Sequence, residues 1–506
     1  MLSQRVIHPF LFGLWPILFL TAQNMGEMAL SRTLSPLLGV TGVILIMTVV
    51  FRALRIEPHR LGMGLSALVL AFFSFGYLVC LLPERFWFLS APVLAGGLLS
   101  AGLGLLWLYL WRSRRSFVPV TGALNLAAVV LVVWQVAAIG WSMLSRSEVT
   151  LLTSPIAATS QNHERPDIYY IIPDGYGRSD ILSDIYDYDN TDFIAFLRSQ
   201  GFYVADSACS NYCQTLLSMT SSLNLDYLQS LFNLWRLERD RTELLERFPK
   251  NRLFEFLREQ GYEIWSFQTG TEYTDLPSAD RFLHPNQSVN EFENLLLSTT
   301  PLPYLFPNRY SQYDLHRRRI EFTLKSLADC RPGPRPKLVF AHFIAPHPPF
   351  VYDRTGKKIE PERPFNLADC SAFELFGGAG EEYVVGYRDQ IEYITGCLQT
   401  TIASLLANYG ERPPVVLVQG DHGPGSRTQF NLSKLTDLNE RLSILNALLI
   451  PGVDSAVLRP SLSPVNSFRL VCNCYFGTDY PLLPDSVFWS PFSYPYDFEN
   501  VTDKVR

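Results

Sequence analysis

Five long apolar runs occupy the first 144 residues, and none of them has a charged residue in its interior. The runs lie near 9–22, 36–51, 61–82, 86–111 and 117–143. A helix needs about 20 apolar residues to cross the core of a bilayer, where its backbone must satisfy its own hydrogen bonds. The runs therefore predict a transmembrane bundle of about five helices over residues 1–145. The first run is short and follows Arg5, so the apolar region of a signal peptide stays open as an alternative for it.

The balance of charge changes at the end of this apolar region. Residues 1–145 hold nine Arg, no Lys and three Glu, which gives 9 − 3 = +6, out of 42 Lys+Arg and 48 Asp+Glu in the whole chain. The rest of the chain carries 33 − 45 = −12, which argues against a nucleic-acid binder with a broad basic surface. The five runs also lack Asp, Glu, Lys and His, which argues against an ion or proton path.

Arginines in the loops between the runs predict the orientation of the bundle. Two loops are rich in arginine, with Arg52, Arg55 and Arg60 in the first and Arg112, Arg114 and Arg115 in the second. Cytoplasmic loops carry an excess of Lys and Arg, so both loops are expected in the cytoplasm. Five spans then place everything after the last run on the extracytoplasmic side of the plasma (inner) membrane.

Residues 146–165 are predicted to be a linker, and residues 166–506 an extracytoplasmic α/β domain. Asp167–Ile172 is an apolar run between two prolines, which is typical of a buried strand in a parallel sheet. Phe193–Gly201 and Leu253–Gly261 each predict a helix that ends at a glycine and is followed by a strand. Further strands are expected at 337–343, 415–418 and 443–450, and a long helix at about 383–406. The predicted fold is a mainly parallel central sheet flanked by helices.

Two polar motifs directly follow predicted strands. Asp174 lies in Pro-Asp-Gly-Tyr-Gly after the first strand, and Asp421 and His422 lie in Gly-Asp-His-Gly after the strand at 415–418. The carboxyl ends of parallel strands meet at one edge of a sheet, and carboxylates and imidazoles are suitable ligands for a divalent cation. Each motif alone is also typical of an ordinary turn. Together they favour a metal site, and their glycines allow the backbone to approach closely.

Other candidate residues lie between these two motifs. Thr215 stands at the start of a predicted helix, where it is either a helix cap or a nucleophile. His342 is expected in a strand, as a core histidine or a substrate ligand, whereas His347 lies on a Pro-rich loop and is placed to donate to a substrate oxygen. Three arginines are candidates for binding an anion, although each is also typical of a surface or packing arginine; they are Arg178, Arg388 and Arg427.

Four short motifs occur in a characteristic order. They are Asp-Gly-Tyr-Gly at 174–177, Ser-Asn-Tyr-Cys-Gln-Thr at 210–215, His342 with Pro-His-Pro-Pro-Phe at 346–350, and Gly-Asp-His-Gly at 420–423. In this order they resemble the sulfatase branch of the alkaline phosphatase superfamily, over about 165–485. The spans followed by an outside domain are also similar to the architecture of lipoteichoic acid synthases and lipid A phosphoethanolamine transferases.

The resemblance implies an alkaline phosphatase-like fold and a set of site residues. One divalent metal ion is implied, held by Asp174, Thr215, Asp421 and His422. Thr215 is implied as the covalent nucleophile, and His347 as a contact of the transferred group. The motifs do not distinguish Zn, Mn, Ca and Mg. Only eight histidines occur in the chain, which favours one metal ion over a two-zinc site.

The chain also departs from the patterns of these relatives. The stretch from Cys213 to Leu217 lacks the Pro/Ala and Arg of the motif that classical sulfatases convert to formylglycine. Gly175 stands where sulfatases have the second residue of an Asp pair, and Asp174 stands where the synthases and transferases usually have Glu. These departures put sulfate-ester hydrolysis by the formylglycine route in doubt.

The sequence therefore predicts a membrane-anchored, metal-dependent hydrolase or transferase. Its expected substrates are phosphodiesters or phosphomonoesters of cell-surface lipids or polymers, attacked by Thr215. One alternative is a sulfatase without a standard formylglycine motif, and another is a non-catalytic surface-binding protein that retains the fold. The expected partners are the lipid bilayer and an anionic ester carried by a lipid or polymer, with no nucleic acid.

Overall fold

The computed structural model describes residues 5–25, 30–83, 85–86, 89–144, 156, 165–232, 239, 241–286, 289–307, 311–363 and 365–505. The chain divides into two compact units. The helical unit comprises Met1–Ser147 and Val289–Asp314, and the α/β unit comprises Glu148–Ser288 and Leu315–Arg506. Apart from Ile156 and Arg165, the predicted linker at 146–165 lies outside the described residues.

Five helices carry the apolar runs of the helical unit. They are α1 (His8–Gln23), α2 (Leu34–Ala53), α3 (Pro58–Leu81), α4 (Ala91–Arg112) and α5 (Val118–Leu144). A short antiparallel pair, β1 (Arg85–Phe86) and β2 (Leu89–Ser90), precedes α4. The helices α2 to α5 are long and apolar enough to cross a membrane. The predicted transmembrane helical region is therefore confirmed.

The first helix is the shortest of the five, with 16 residues, and it contacts α2, α3 and α5. Asn125 of α5 caps its start, because the Asn125 Oδ1 accepts the backbone N–H groups of Ile7 and His8 at 3.2 and 2.9 Å. Amides at a helix start lack partners within the helix, so this buried amide replaces the missing cap. The crossing of a membrane by α1 stays a prediction.

The α/β unit is built on a seven-stranded sheet. Its strands are β3 (Ile168–Pro173), β4 (Tyr203–Val204), β5 (Glu263–Phe267), β6 (Arg281–Leu283), β7 (Lys337–Phe343), β8 (Val415–Gln419) and β9 (Asn446–Leu449). Their order across the sheet is β4-β9-β8-β3-β7-β5-β6. The five strands from β8 to β6 are parallel, whereas β9 is antiparallel to β8 and β4 to β9. The predicted mainly parallel sheet is confirmed. A separate pair, β10 (Phe488–Trp489) and β11 (Glu499–Asn500), is antiparallel.

Among the described residues, thirteen further helices follow the apolar region, and all of them except α12 and α13 lie wholly or mainly in the α/β unit. In chain order they are α6 (Ser179–Tyr186), α7 (Thr191–Ser199), α8 (Thr215–Asn224), α9 (Leu228–Leu231), α10 (Thr242–Arg247), α11 (Arg252–Glu259), α12 (Glu291–Ser298), α13 (Leu302–Leu305), α14 (Gln312–Ala328), α15 (Cys370–Leu375), α16 (Gly380–Ala407), α17 (Leu438–Leu442) and α18 (Pro464–Phe476). The two predicted glycine ends are present, since Gly201 and Gly261 follow α7 and α11 with φ of 89° and 85°. None of the eight cysteines is in a disulfide.

The register of the sheet brings the polar motifs to one edge. The central strand β3 pairs with β7 at Ile172 and His342, and with β8 at Ile171 and Val418. Because the three strands are parallel, their carboxyl ends lie side by side. The backbone N–H of Asp174 continues the ladder by donating to the carbonyl of Phe343 at 3.1 Å. The motif after β3, the end of β7 and the motif after β8 therefore converge, as predicted for such folds.

Residues 289–314 belong to the helical unit although they follow β6 of the central sheet. Two apolar residues of α12, Phe292 and Leu296, are buried in one cluster with Phe12 and Ile17 of α1. The expected extracytoplasmic domain at 166–506 thus includes a stretch whose contacts are with the apolar helices. The chain consequently passes between the two units three times, near 147, 288 and 314.

Candidate active site

Asp174 lies at the centre of a buried cluster at this edge of the sheet. Its Oδ2 is 3.2 Å from the Nε2 of His342, and its Oδ1 is 3.6 Å from the Nε2 of His422. Burial alone would raise the pKa of Asp174, but the charge of His347 and a hydrogen bond from His342 outweigh burial and hold that pKa below its usual range. The carboxyl group is therefore ionised in the folded protein.

The second carboxylate, Asp421, faces the same space. Its Oδ1 accepts the backbone N–H of Gly175 at 3.0 Å, and its Oδ2 is 3.3 Å from the Nε2 of His422. The Ser210 hydroxyl donates to the backbone carbonyl of Asp421 and so stabilises the loop that follows β8. Two carboxylates on adjacent strand ends are thus held with oxygens directed at a common point.

Two glycines of the Gly-Asp-His-Gly motif are required by close backbone packing. A Cβ atom at Gly420 would lie 2.5 Å from the carbonyl oxygen of Tyr176. A Cβ atom at Gly423 would lie 2.0 Å from the carbonyl oxygen of Glu440. Both distances are shorter than any real contact of a Cβ atom, so only glycine fits. The geometry agrees with the expectation that these glycines allow a close approach.

Thr215 is the first residue of α8 rather than its cap. The preceding residue, Gln214, is the N-cap, and its side chain donates to Ser490 instead of capping the helix. The Thr215 Oγ1 lies 3.0 Å from the Nε2 of His422. The amides in the first turn of a helix have no partner within it and attract anions. The Thr215 hydroxyl therefore lies next to the Nε2 of His422 and at the amino-terminal end of α8.

The tautomer of His422 follows from its second ring nitrogen. The Nδ1 is 2.9 Å from the carbonyl oxygen of Gly423, which only a protonated nitrogen can approach as a donor. Burial, reinforced by the positive charge of Arg441, lowers the pKa of His422. The imidazole is therefore neutral, and its Nε2 lone pair faces the Thr215 hydroxyl. That nitrogen can accept the hydroxyl proton or bind a metal ion.

The donor set of the cluster fits a divalent cation. Atoms of Asp174, His342 and Asp421 all lie within 4.8 Å of one another. Among the described residues, the Oδ1 of Asp174 and the Oδ2 of Asp421 are buried without a hydrogen-bond partner. Buried carboxylate oxygens without partners are costly, and a bound cation removes that cost. Carboxylate oxygens and imidazole nitrogens are both ligands of divalent metal ions in proteins.

The expected ligands and the observed cluster overlap but are not identical. The resemblance implied Asp174, Thr215, Asp421 and His422, and the structure brings all four together. It also adds His342, which the sequence analysis assigned to the core or to substrate. The Nδ1 of His342 is 3.0 Å from a buried threonine hydroxyl in the loop after β5, so its ring orientation is fixed in the manner of a metal-bound histidine.

His347 lies beside the cluster on the loop after β7. Its Nδ1 approaches the carbonyl oxygen of Pro348 at 2.6 Å, and its Nε2 is 3.7 Å from the Oδ2 of Asp369. Burial works against protonation of His347, but the carboxylates of Asp174 and Asp369 outweigh burial and raise its pKa. A protonated imidazole at this position can donate to an anionic oxygen, which is the role expected for it.

Two side chains hold the carboxylate of Asp369. Arg441 donates to its Oδ2 at 2.6 Å, and the Tyr383 hydroxyl donates to its Oδ1 at 2.5 Å. The next residue, Cys370, has a φ of 54°, which is unfavourable for a residue with a side chain. Burial would raise the pKa of Asp369, but Arg441 and His347 outweigh burial and lower it. The loop is thus strained around a carboxylate that faces His347.

Arg441 links the loops that carry the candidate catalytic residues. Besides binding Asp369, it donates to the backbone carbonyls of Cys213 at 2.9 Å and Gly423 at 3.1 Å. These two carbonyls belong to the loops of Thr215 and His422. Neither Asp369 nor Arg441 could be predicted from the sequence, because an isolated Asp or Arg has no signal that separates it from a surface residue.

The three candidate anion-binding arginines make ion pairs with acidic residues near them in sequence. The pairs are Arg178–Asp180 at 2.7 Å, Arg388–Asp389 at 3.5 Å and Arg427–Asp437 at 3.8 Å. The Arg427 side chain is also mostly exposed. A role for any of them in binding substrate stays a prediction.

Solved structures of other proteins are similar to this chain. The periplasmic domain of EcEptC from Escherichia coli, in complex with Zn, is 13% identical with a TM-score of 0.43 and covers 69% of this chain and 95% of its own. The integral membrane lipooligosaccharide phosphoethanolamine transferase A from Neisseria meningitidis is 12% identical with a TM-score of 0.38 and covers 94% and 95%. The phosphonate monoester hydrolase of Agrobacterium radiobacter is 16% identical with a TM-score of 0.40 and covers 64% and 80%.

Sequence comparisons address the family directly. No curated protein matches the chain. The profile of the sulfatase family matches residues 166–444, which is more than half of the 506 residues. This range begins just before β3 and ends just before β9, so it contains every residue of the cluster described above. The chain belongs to the sulfatase family, whose members are hydrolases or transferases of the alkaline phosphatase superfamily.

Proposed function

We propose that the chain is a membrane-anchored enzyme that cleaves or transfers phosphoryl-type groups of lipids or polymers outside the membrane. The observation that carries this proposal is the position of Thr215. Its hydroxyl lies at the start of α8, 3.0 Å from the Nε2 of His422 and beside two carboxylates with unpartnered oxygens. This arrangement supports a nucleophile next to a set of metal ligands in one buried place.

One divalent metal ion belongs to this proposal. The ion would be held by Asp174, Asp421 and His422, with Thr215 as a further ligand. His342 lies in the same cluster and could also contact the ion. When bound, such an ion favours the ionised hydroxyl and offsets negative charge on phosphoryl oxygens. The donor set does not select among Zn, Mn, Ca and Mg.

The residues of the chain perform the remaining steps. With the Nε2 of His422 assigned to the metal ion, the Thr215 hydroxyl loses its proton to a water molecule, and the Oγ1 then forms a bond to phosphorus while the bond to the leaving oxygen breaks. The amides at the start of α8 and the protonated His347 face the oxygens on which charge develops. Water or an alcohol then attacks the phosphothreonine and restores the hydroxyl. The acceptor decides whether the enzyme is a hydrolase or a transferase.

An extracytoplasmic position of the site is supported by two features of the helical unit. The arginine-rich loops lie between α2 and α3 and between α4 and α5, and such loops are retained in the cytoplasm. Residues 289–314 pack near the other end of α3, where Gly76 donates to the carbonyl of Thr299 at 3.0 Å. A segment of the chain that follows β6 therefore reaches the bundle at the end opposite the arginines.

A sulfuryl ester is the second candidate substrate, and the position of Cys213 bears on its route. Cys213 is buried with Leu442 and Trp489, and its Sγ approaches the carbonyl oxygen of Ser490 at 3.5 Å. Its side chain thus packs in the core, whereas Thr215 contacts His422. This arrangement favours a threonine nucleophile over a modified cysteine for either substrate.

Mass spectrometry of the full-length protein after incubation with a membrane lipid extract tests the proposal. We expect a phosphoryl adduct on Thr215 that disappears in Thr215→Ala and Asp421→Asn. Thr220→Ala is the matched control, because Thr220 lies on the same helix with a buried hydroxyl away from any partner among the described residues. A sulfuryl adduct would favour the second candidate. Absence of any adduct together with absence of bound metal would contradict both and favour a non-catalytic protein.

A further inference from the structure

Residues 289–314, called the insertion from here on, pack closely against the apolar helices. A Cβ atom at Gly76 of α3 would lie 2.0 Å from the carbonyl oxygen of Ser298, so the insertion backbone fits only against a glycine. The ring of Tyr304 packs on Phe75 with centroids 5.5 Å apart. One side of the insertion is therefore an integral part of the helical unit.

The other side of the insertion is apolar and exposed. Tyr304, Leu305 and Phe306 follow one another in the chain, and Leu305 and Phe306 are 65% and 54% exposed. Tyr304 contacts Phe75 of α3, a helix whose Tyr77 and Leu81 are also exposed large apolar residues. Consecutive exposed apolar side chains are unusual on a surface that faces water. Here they continue the surface of a helix that is long and apolar enough to cross a membrane.

The net charge of the insertion shows whether it could be attracted to anionic lipid headgroups. Residues 289–314 contain one Arg and three acidic residues, which gives 1 − 3 = −2, and no Lys. Attraction to anionic headgroups requires a basic segment, so headgroup charge does not drive its binding. Aromatic and aliphatic side chains near the end of a membrane helix are typical of the bilayer interface.

We propose that Leu305 and Phe306 insert into the outer interface of the bilayer, so that the insertion is a lipid-binding element in its own right. This proposal rests on the apolar helices and does not depend on the chemistry at Thr215. It adds a membrane contact to a stretch that follows the central sheet in the chain. A second copy of the chain or another protein could also cover an apolar surface, and the test distinguishes these occupants.

Photocrosslinking of the full-length protein in phosphatidylcholine nanodiscs provides the test. The variant Phe306→benzoylphenylalanine carries a photoreactive ketone at the exposed position, and Leu305→benzoylphenylalanine repeats the measurement at the next residue. The matched control is Phe376→benzoylphenylalanine, since Phe376 is a 59% exposed phenylalanine of the α/β unit. The same substitution at Leu126, an exposed residue of α5, sets the yield for a helix surface in lipid.

We expect a phospholipid adduct at 306 with a yield within about threefold of that at 126 and at least tenfold above that at 376. The yield is expected to stay unchanged when a third of the phosphatidylcholine is replaced by phosphatidylglycerol, because the insertion is acidic. A yield at 306 equal to that at 376 would overturn the proposal. A crosslink to a second copy of the chain in place of lipid, or an adduct that requires phosphatidylglycerol, would also overturn it.

Discussion

Two histidines near the end of β7 have different surroundings and therefore different expected roles. His342 faces the carboxylate of Asp174 at 3.2 Å, whereas His347 faces Asp369 at 3.7 Å. We expect His342→Gln to lower metal affinity by at least about tenfold. His347→Gln should leave metal bound and slow turnover by about a hundredfold or more. Metal analysis by mass spectrometry and a steady-state assay on the same samples separate the two effects. Loss of metal from both variants would contradict this division.

Arg441 is a positioning residue whose effect can be separated from general destabilisation. It is 4% exposed and joins Asp369 to the loops of Thr215 and His422, as described above. Arg441→Gln leaves a buried carboxylate without its cation, so we expect a loss of about 3–5 kcal/mol in the free energy of unfolding. Turnover per folded molecule should fall about 10- to 100-fold while metal content is retained.

A second buried arginine provides the control for that variant. Arg469 is 5% exposed and donates to the backbone carbonyls of Leu225 and Pro481. Arg469→Gln should also lower the unfolding midpoint, but turnover per folded molecule should remain that of the parent protein. Equal losses of turnover in the two variants would show that Arg441 acts through stability alone.

At the scale of elements, Asp485 fixes the start of α18. Its Oδ1 accepts the backbone N–H and the hydroxyl of Ser463 at 3.0 and 2.9 Å, and Arg459 donates to its Oδ2 at 2.6 Å. Burial would raise the pKa of Asp485, but these hydrogen bonds outweigh burial and lower it. The side chain of the N-cap residue, Ser463, makes no capping hydrogen bond to the helix. The Asp485 carboxylate fixes this residue instead and so stabilises the start of the helix.

This arrangement predicts a stability difference that depends on pH. A carboxyl group with a lowered folded pKa stabilises the protein above its unfolded pKa of about 3.9, and that contribution is lost as the pH falls through the folded pKa. At pH 7, Asp485→Asn should lower the free energy of unfolding by about 1.5–3 kcal/mol. Denaturant titrations should show the difference decreasing below about pH 4. A constant difference from pH 7 to pH 3 would exclude the charge as its cause.

Elements with a clear hydrophobic pattern were predictable from the sequence. The strand at 337–343 has the expected bounds, and the helix at 380–407 buries Tyr387, Ile391 and Ile394 on its predicted face. Such patterns can be recognised within a short stretch of sequence. A buried strand between parallel neighbours is apolar throughout, and an amphipathic helix has an apolar residue at every third or fourth position. The contacts of Phe292 with α1 could not be predicted in this way. The short helix α12 has an ordinary amphipathic pattern that does not reveal which surface it covers.

The candidate site was predictable to the extent that its residues lie at strand ends in glycine-rich motifs. Asp174, Asp421 and His422 were found for this reason. His342 was expected in a strand, as a core histidine or a substrate ligand, and only the tertiary structure shows that its Nε2 faces Asp174. His347 pairs with Asp369, which in turn pairs with Arg441. These three residues are far apart in the sequence, so their contacts depend on the tertiary fold.

The chain crosses from one unit to the other three times, and these crossings predict what happens when one of them is cut. A protease site introduced into the predicted linker at 146–165 cuts one passage and leaves the passages near 288 and 314. We expect the carboxyl-terminal fragment to remain in the membrane fraction after a high-salt wash, because Phe292 and Leu296 are buried among the apolar helices.

Two double variants decide whether the insertion is responsible. Replacement of Phe292 and Leu296 by Asp should increase the share of the cut fragment that the high-salt wash removes from the membrane, because only the lipid contact of Leu305 and Phe306 would remain. Replacement of Leu375 and Phe376 by Asp changes exposed apolar residues of the α/β unit and should leave the fragment bound. Release of the cut parent protein would contradict the prediction.

The close fit of the insertion against Gly76 also restricts how such proteins can be recombined. If a membrane anchor were exchanged at the linker alone and the incoming helix carried a side chain at position 76, that side chain would clash with the carbonyl oxygen of Ser298. The surface of α3 and residues 289–314 must therefore be inherited together, although more than 200 positions separate them in the sequence. Modular exchange in this chain follows the boundary of the helical unit and not the linker.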